Sequence, residues 1–304
     1  VKNLAALSWA AVAVAFGEVL LGSWTRINGA GMTCPDYPLC RGRLVPAFDG
    51  GVVWEWTHRF AALALAVLVL VTLVRAFYGR PVPDERAAAG VRIAAGLVWV
   101  LFMVQLVLGA ATVKLSNSPL SVVWHWGTAM ALIASLAALA IFAGAGPSQR
   151  ASGNGWMVAA VLAVAASVAF MTMCIGAYVS SSGAGLACVS IPGCAGNVVV
   201  FGNGQYVQML HRIAAAASLL AAVAAFAFTW MRGASARVRL WTAVALALVF
   251  VQIVLGLLNV ALRLPIDLRE AHAANAALIF LAFACATTLA VIDAVPARQP
   301  VQAL

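Results

Sequence analysis

Within Trp54-Glu55-Trp56-Thr57-His58-Arg59, an acid and an imidazole stand three residues apart. On a helix that spacing puts both on one face, where a carboxylate can move protons and an imidazole can bind a metal. The stretch opens a long apolar segment, and an ionisable group inside a bilayer is by default a functional candidate. The same neighbourhood returns at Gln208-Met209-Leu210-His211-Arg212, with the acid replaced by an amide. The chain's four histidines divide between two such places: His58 corresponds to His211, and His125 to His272. Two imidazoles facing each other across a bundle core are the axial ligands a haem iron needs, so all four are candidate metal ligands. Arg59 and Arg212 each follow a histidine. A guanidinium there can bind a haem propionate bidentately or snorkel to water, and both readings stay open.

Cys34 and Cys40 form a C-x5-C pair, and Cys188 and Cys194 repeat it. In an oxidising outer compartment such pairs read as disulfides; spacing alone does not separate a structural staple from an electron-exchanging pair. A zinc site would need four ligands, and the histidines are better placed in helices. Cys174 and Cys285 lie in apolar runs and read as small core residues.

Composition requires that these residues be held by membrane helices. With 64% hydrophobic and 9% charged residues, against roughly 25% charged in soluble domains, the chain reads as an all-α polytopic membrane protein. Apolar runs place eight spans near 4–26, 52–78, 90–114, 121–145, 155–179, 206–231, 238–262 and 271–294. The first is too long, and too poorly followed by a cleavage site, to be a removable signal peptide. Two connections are long, 27–51 and 181–205, and they fall on one side.

Lys2, Arg75, Arg80, Arg86, Arg92, Arg150, Arg232, Arg237, Arg239 and Arg298 lie on one side; Arg26, Arg41, Arg43, Lys114, Arg263 and Arg269 lie on the other. This bias puts both termini in the cytoplasm and the cysteine loops outside an inner (cell) membrane. It also explains the net charge of +9 without nucleic acid, because the basic residues form no stripe. Trp24, Trp54, Trp56, Trp124 and Trp126 then mark the outer interface, and Trp156, Trp230 and Trp241 the inner one.

Internal repetition sharpens the fold. Leu21-Gly22-Ser23-Trp24 through Cys34 aligns with Ile175-Gly176-Ala177-Tyr178 through Cys188, and Val-Gln-Leu-Val-Leu-Gly around Gln105 matches Val-Gln-Ile-Val-Leu-Gly around Gln252. The chain therefore reads as two four-helix bundles, 1–150 and 151–304, related by a pseudo-twofold axis along the membrane normal.

Gly29-Ala30-Gly31-Met32-Thr33-Cys34-Pro35-Asp36-Tyr37-Pro38-Leu39-Cys40 followed by Glu55-Trp56-Thr57-His58-Arg59, with the second cysteine loop and the later His-Arg, resembles the haem A synthase family across essentially all eight spans. The resemblance implies oxidation of the methyl at porphyrin carbon 8 of haem O to a formyl, giving haem A by successive hydroxylations and loss of water with dioxygen-derived chemistry. It also implies that His58 and His125 flank the haem O iron in the amino-terminal half, with Glu55 as catalytic acid beside the Cys34 and Cys40 pair. His211 and His272 would hold a resident haem b, with the second cysteine pair mainly structural. Haem O synthase and terminal oxidase assembly factors are the partners it suggests. The sequence leaves oligomeric state open.

The residues support that division independently, since only the first half has an acid beside its histidine and Gln208 cannot titrate. Glu18, inside the first span and aligned with Thr172, matches no family motif; it can feed protons or pair with a polar group of another helix, and a local hydrogen-bonded role is the reading favoured over a catalytic one. Glu270 reads as a helix-start acid, and Asn275 as either pocket lining or packing glue. Two rival readings remain: a di-haem cytochrome serving quinol-linked electron transfer, and a haem carrier that releases its porphyrin unchanged.

Overall fold

The computed structural model describes residues 2–79, 85–145, 155–194 and 202–294. Its helices are α1 Lys2–Ile27, α2 Val52–Tyr78, α3 Glu85–Lys114, α4 Pro119–Gly144, α5 Gly155–Ser181, α6 Asn203–Met231, α7 Ala236–Ala261 and α8 Ile266–Ala294. All eight are long and apolar enough to cross a bilayer, where a helix satisfies its own backbone. The division at 150/151, residues 195–201 of the second cysteine loop, and Arg80, Arg150 and Arg298 lie outside the described residues, as do the side chains of Lys2 and Arg86.

The hairpins α3–α4 and α7–α8 turn by one device. Ser116 and Asn117 have φ of 51° and 53°, and Arg263 and Leu264 have φ of 59° and 64°. The Asn117 N–H returns to Thr112 O at 2.8 Å, and the Leu264 N–H to Asn259 O at 2.7 Å, which satisfies carbonyls the ending helix leaves free. Pro119 then opens α4 and Pro265 immediately precedes α8; neither residue needs an N–H there. Because the turn is this tight, α8 starts at Ile266, several residues before the expected boundary, and Asp267 is the acid of its first turn. The expectation that Glu270 marks a helix start is therefore corrected. Its carboxylate faces Ser23 and Arg26 of α1.

Each four-helix half buries its own core. Val69, Val98, Met130 and Leu136 belong to one; Leu162, Val238, Ala245 and Phe283 belong to the other. Helices α4 and α8 are the most enclosed, with half of each apolar span inside the protein. They meet at the junction of the halves, where Ala277 and Cys285 of α8 complete the first half's core. Leu63, Val67 and Leu70 of α2, Leu220 of α6 and Phe250 of α7 point outward, which suits hydrocarbon and would be a liability in water.

Trp24 and Trp54 pack edge to face at 6.1 Å, Trp124 is exposed near the start of α4, and Trp156 and Trp230 are exposed near the start of α5 and the end of α6. Two tryptophans depart from the belts: Trp126 lines an internal cavity, and Trp241 packs against both cores.

The left-handed turn residues give a stability test. Arg263 is exposed and carries a side chain where glycine is favoured. Arg263→Gly should stabilise the fold by about 0.5–1 kcal/mol, while β-branched Arg263→Val should destabilise it. Thermal unfolding in detergent reads both, and the same shift from the two variants would contradict the turn's geometry.

Candidate functional site

Each of the four imidazoles lies against a glycine of the preceding helix in its own half. A Cβ on Gly22 of α1 would stand 2.7 Å from His58 Cε1, and on Gly176 of α5 it would stand 2.9 Å from His211 Cε1. On Gly109 of α3 the distance to His125 Cε1 would be 3.3 Å, and on Gly256 of α7 it would be 3.3 Å to His272 Cε1. A missing side chain lets the ring reach the neighbouring backbone, the close approach that small residues allow in membranes. These glycines escaped the sequence reading of the site, although the signal was present: each closes a Leu-Gly or Ile-Gly step inside the repeated segments.

In the first half, His58 and His125 line one cavity of about 220 Å³, together with Glu18, Arg26, Glu55 and Arg59. Apolar groups such as Phe102, Trp126 and Ala129 share its lining with these charged side chains and with Gln105, Thr112 and Asn117, so polar groups converge on an otherwise apolar space, as in a cofactor or substrate pocket. Gln105 Nε2 stands 3.4 Å from His125 Nε2. Glu18 Oε1 is 2.8 Å from His58 Nδ1, at ion-pair distance but outside hydrogen-bond alignment. Arg26 also donates to Ser180 Oγ of α5 at 3.0 Å, joining repeat-related positions across the two halves.

Glu55 is buried and fastened on three sides. Its Oε2 accepts from the Cys34 N–H at 2.8 Å and from Thr33 Oγ1 at 3.0 Å, and its Oε1 accepts from Arg59 at 2.7 Å. Arg59 also donates to the carbonyls of Cys34, Asp36 and Leu39. These contacts leave Nε as the remaining donor of its five N–H groups. The second half repeats the clasp: Gln208 Oε1 accepts from the Cys188 N–H, its Nε2 donates to Gly185 O at 2.7 Å, and Arg212 donates to the carbonyls of Cys188, Ser190, Pro192 and Gly193. Both arginines thus grip the cysteine loops rather than snorkelling.

The bonded pairs Cys34–Cys40 and Cys188–Cys194, with Cα separations of 4.6 and 4.8 Å, close these loops. Asp36 closes the first loop from outside the span. The Gly42 N–H foremost, with that of Arg41, holds its carboxyl below the ordinary carboxylate range. That support is present above the unfolded-state value and is lost as pH falls through the folded one.

In the second half the imidazoles of His211 and His272 have ring centres 6.4 Å apart. That separation suits the two rings to serve together as ligands of one haem iron. Gln252 donates to His272 O at 3.0 Å and accepts from Asn275 Nδ2 at 2.7 Å. Asn275 therefore braces α7 against α8, the packing alternative of its two expected roles.

The glycine contacts predict graded damage. Gly176→Ala should weaken the bis-imidazole absorption formed with added ferric protohaem more than Gly256→Ala does, because its Cβ intrudes further on the ring. Indistinguishable spectra would separate the glycine contact from ligand geometry.

A family model described as cytochrome oxidase assembly protein, COX15-CtaA, matches residues 47–284, a stretch that includes all four histidines and Glu55. The chain is 28% identical over 265 residues to the haem A synthase of Bacillus licheniformis, covering 83% of this chain and 84% of that one. It is 30% identical over 238 residues to the haem A synthase of Symbiobacterium thermophilum, covering 72% and 73%. A shorter match, 42% over 98 residues, joins 32% of this chain to 21% of the protohaem IX farnesyltransferase of Halobacterium salinarum. With the family match running from the loop before α2 into α8 and across every histidine, the chain belongs to the COX15-CtaA family of cytochrome oxidase assembly proteins.

Proposed function

We propose that the protein is a haem A synthase, an oxidoreductase that takes haem O into the cavity of the first half and converts its carbon 8 methyl to a formyl. The observation that carries this reading is the unequal doubling of one site, with carboxylates beside a histidine only in the first half, in a chain similar to haem A synthases over most of its length. Two hydroxylations of the methyl by a dioxygen-derived oxidant, each replacing a C–H bond by C–OH and oxidising the carbon by two electrons, give a geminal diol that loses water to the aldehyde. Such steps need a group able to take and return protons near the reacting carbon, and Glu55 lines the cavity for that task.

His58 and His125 would flank the iron of haem O. His211 and His272, whose separation suits shared ligation, would hold a resident haem b, which when bound supplies one-electron redox chemistry. The Nε of Arg59 would be the donor left to meet a porphyrin carboxylate, while its other donors hold the cysteine loop. Basic residues crowd the end opposite the cysteine loops, so the loops face outward and both termini inward. The partial likeness to a farnesyltransferase supports a haem O synthase as the source of substrate.

The repeat supplies a control for the test. Gln208 shows that an amide at the position of Glu55 can still hold its loop through the cysteine N–H. Glu55→Gln should therefore fold and bind haem normally while cells supplied with haem O accumulate no haem A, read by mass in extracted pigments. Haem A from the variant would remove Glu55 from the chemistry; unaltered haem O from the parent chain would favour a carrier. Replacing His211 or His272 should abolish the low-spin haem b spectrum, and an intact spectrum would overturn the assignment of the second half.

A further inference from the structure

Glu18 is the least expected residue of the first half. It lies on α1, one helical turn before Gly22, and its side chain is only about 10% exposed. A carboxylate inside a membrane helix is costly, so retaining one calls for a compensating contact. Its Oε1 lies 2.8 Å from His58 Nδ1, at ion-pair distance, and neither of these atoms has a hydrogen-bond partner. Among the described residues, this is the sole ion-pair contact between a carboxylate and any of the four histidines.

The repeat breaks at this point. Thr172 occupies the equivalent place in α5, and its hydroxyl is engaged with Val168 O of its own helix and with Ala214 O and Ser218 Oγ of α6. The ring of His211 is held by Gly176 without an acid. His125 meets an amide, Gln105, rather than a carboxylate.

We infer that Glu18 is a positioning residue for metalloporphyrin at the first-half site. It holds the Nδ1 side of His58, fixing the proton on that nitrogen and leaving Nε2 as a strong, oriented donor to iron. A carboxylate behind a ligating imidazole raises its basicity and sets its tautomer and ring orientation. His58 is thereby a firmer ligand than His125, and where one axial ligand yields to the chemistry of the substrate, His125 is the one that yields. This inference rests on the proposal that His58 ligates porphyrin iron, and the experiment tests the two separately.

The full chain in detergent is titrated with ferric protohaem, and binding at the first half is identified as the phase that His58→Ala weakens. Glu18→Ala and Glu18→Thr, the latter copying the second half, should weaken that phase about 10–100-fold and raise the midpoint potential of the iron bound there. Glu18→Gln keeps an oxygen that can accept from Nδ1–H and should recover most of the affinity while leaving the potential raised. The second-half spectrum should not move in any of the three. Glu18 variants that bind and titrate like the parent, while His58→Ala loses the phase, would overturn the role of Glu18 and leave His58 ligation standing. A lowered thermal midpoint with unchanged affinity and potential would make Glu18 a packing residue and overturn the inference. Loss of no phase on His58→Ala would overturn both.

Discussion

Everything at the candidate site depends on four imidazoles being pressed against helix backbones that carry no side chain at the point of contact. A histidine on a membrane helix must find a polar partner or a cavity, and its ring is too large to sit between two ordinarily packed helices. Glycine at positions 22, 109, 176 and 256 makes the room and fixes the direction from which each ring approaches. The helices that carry the histidines, α2, α4, α6 and α8, are thereby tied to α1, α3, α5 and α7. This packing constrains the orientation of each ring before any cofactor binds.

A second constraint acts at the loop end. In each repeat the third residue of the Gly-Ala-Gly step receives the turn of the other hairpin: Asn117 donates to Gly31 O at 2.9 Å, and Leu264 packs so closely on Gly185 that a Cβ there would meet its Cδ1 at 2.8 Å. The same loops are fastened from below by Glu55 with Arg59, and by Gln208 with Arg212. The histidine follows three residues after the acid or amide, so one turn of helix bears both the loop clasp and the ligand. Disulfide, guanidinium and carboxylate or amide form one clasp at the loop end of each half, one helical turn from the neighbouring imidazole.

The repeat, the eight spans and the histidine pairing were legible from sequence because each leaves a periodic or duplicated mark. The hydrophobic runs gave α2 and α5 nearly to the residue at their starts, whereas α8 began early because its boundary is set by two left-handed residues and Pro265, which hydropathy does not register. Arg59 and Arg212 were visible as paired guanidinium groups, but apart from Glu55 their partners are main-chain carbonyls, and nothing in the side-chain pattern marks a carbonyl. Trp126 looked like an interface residue from its place near a helix end; rotation about the helix axis carries it inward, and that rotation follows from the packing of α4 against its neighbours. Glu18 was conspicuous as a charge in an apolar run. Its partner was not, because the two residues are 40 positions apart and meet only once α1 and α2 pack.

Departures from the repeat are more informative than the repeat itself. A doubled bundle with identical halves would hold two equivalent porphyrins, and neither would be distinguished as substrate. Two substitutions break that equivalence, Glu for Gln at 55 against 208 and Glu for Thr at 18 against 172, and both add a carboxylate to the same cavity. In the second half the amide completes the loop clasp and the hydroxyl is engaged by α6, so these polar groups are spent on packing. In the first half the two acids face the histidine and the loop, and there a bound porphyrin would meet groups that can exchange protons. The structural duties survive each replacement, which is why the chemical difference can be confined to two side chains within an otherwise symmetric frame.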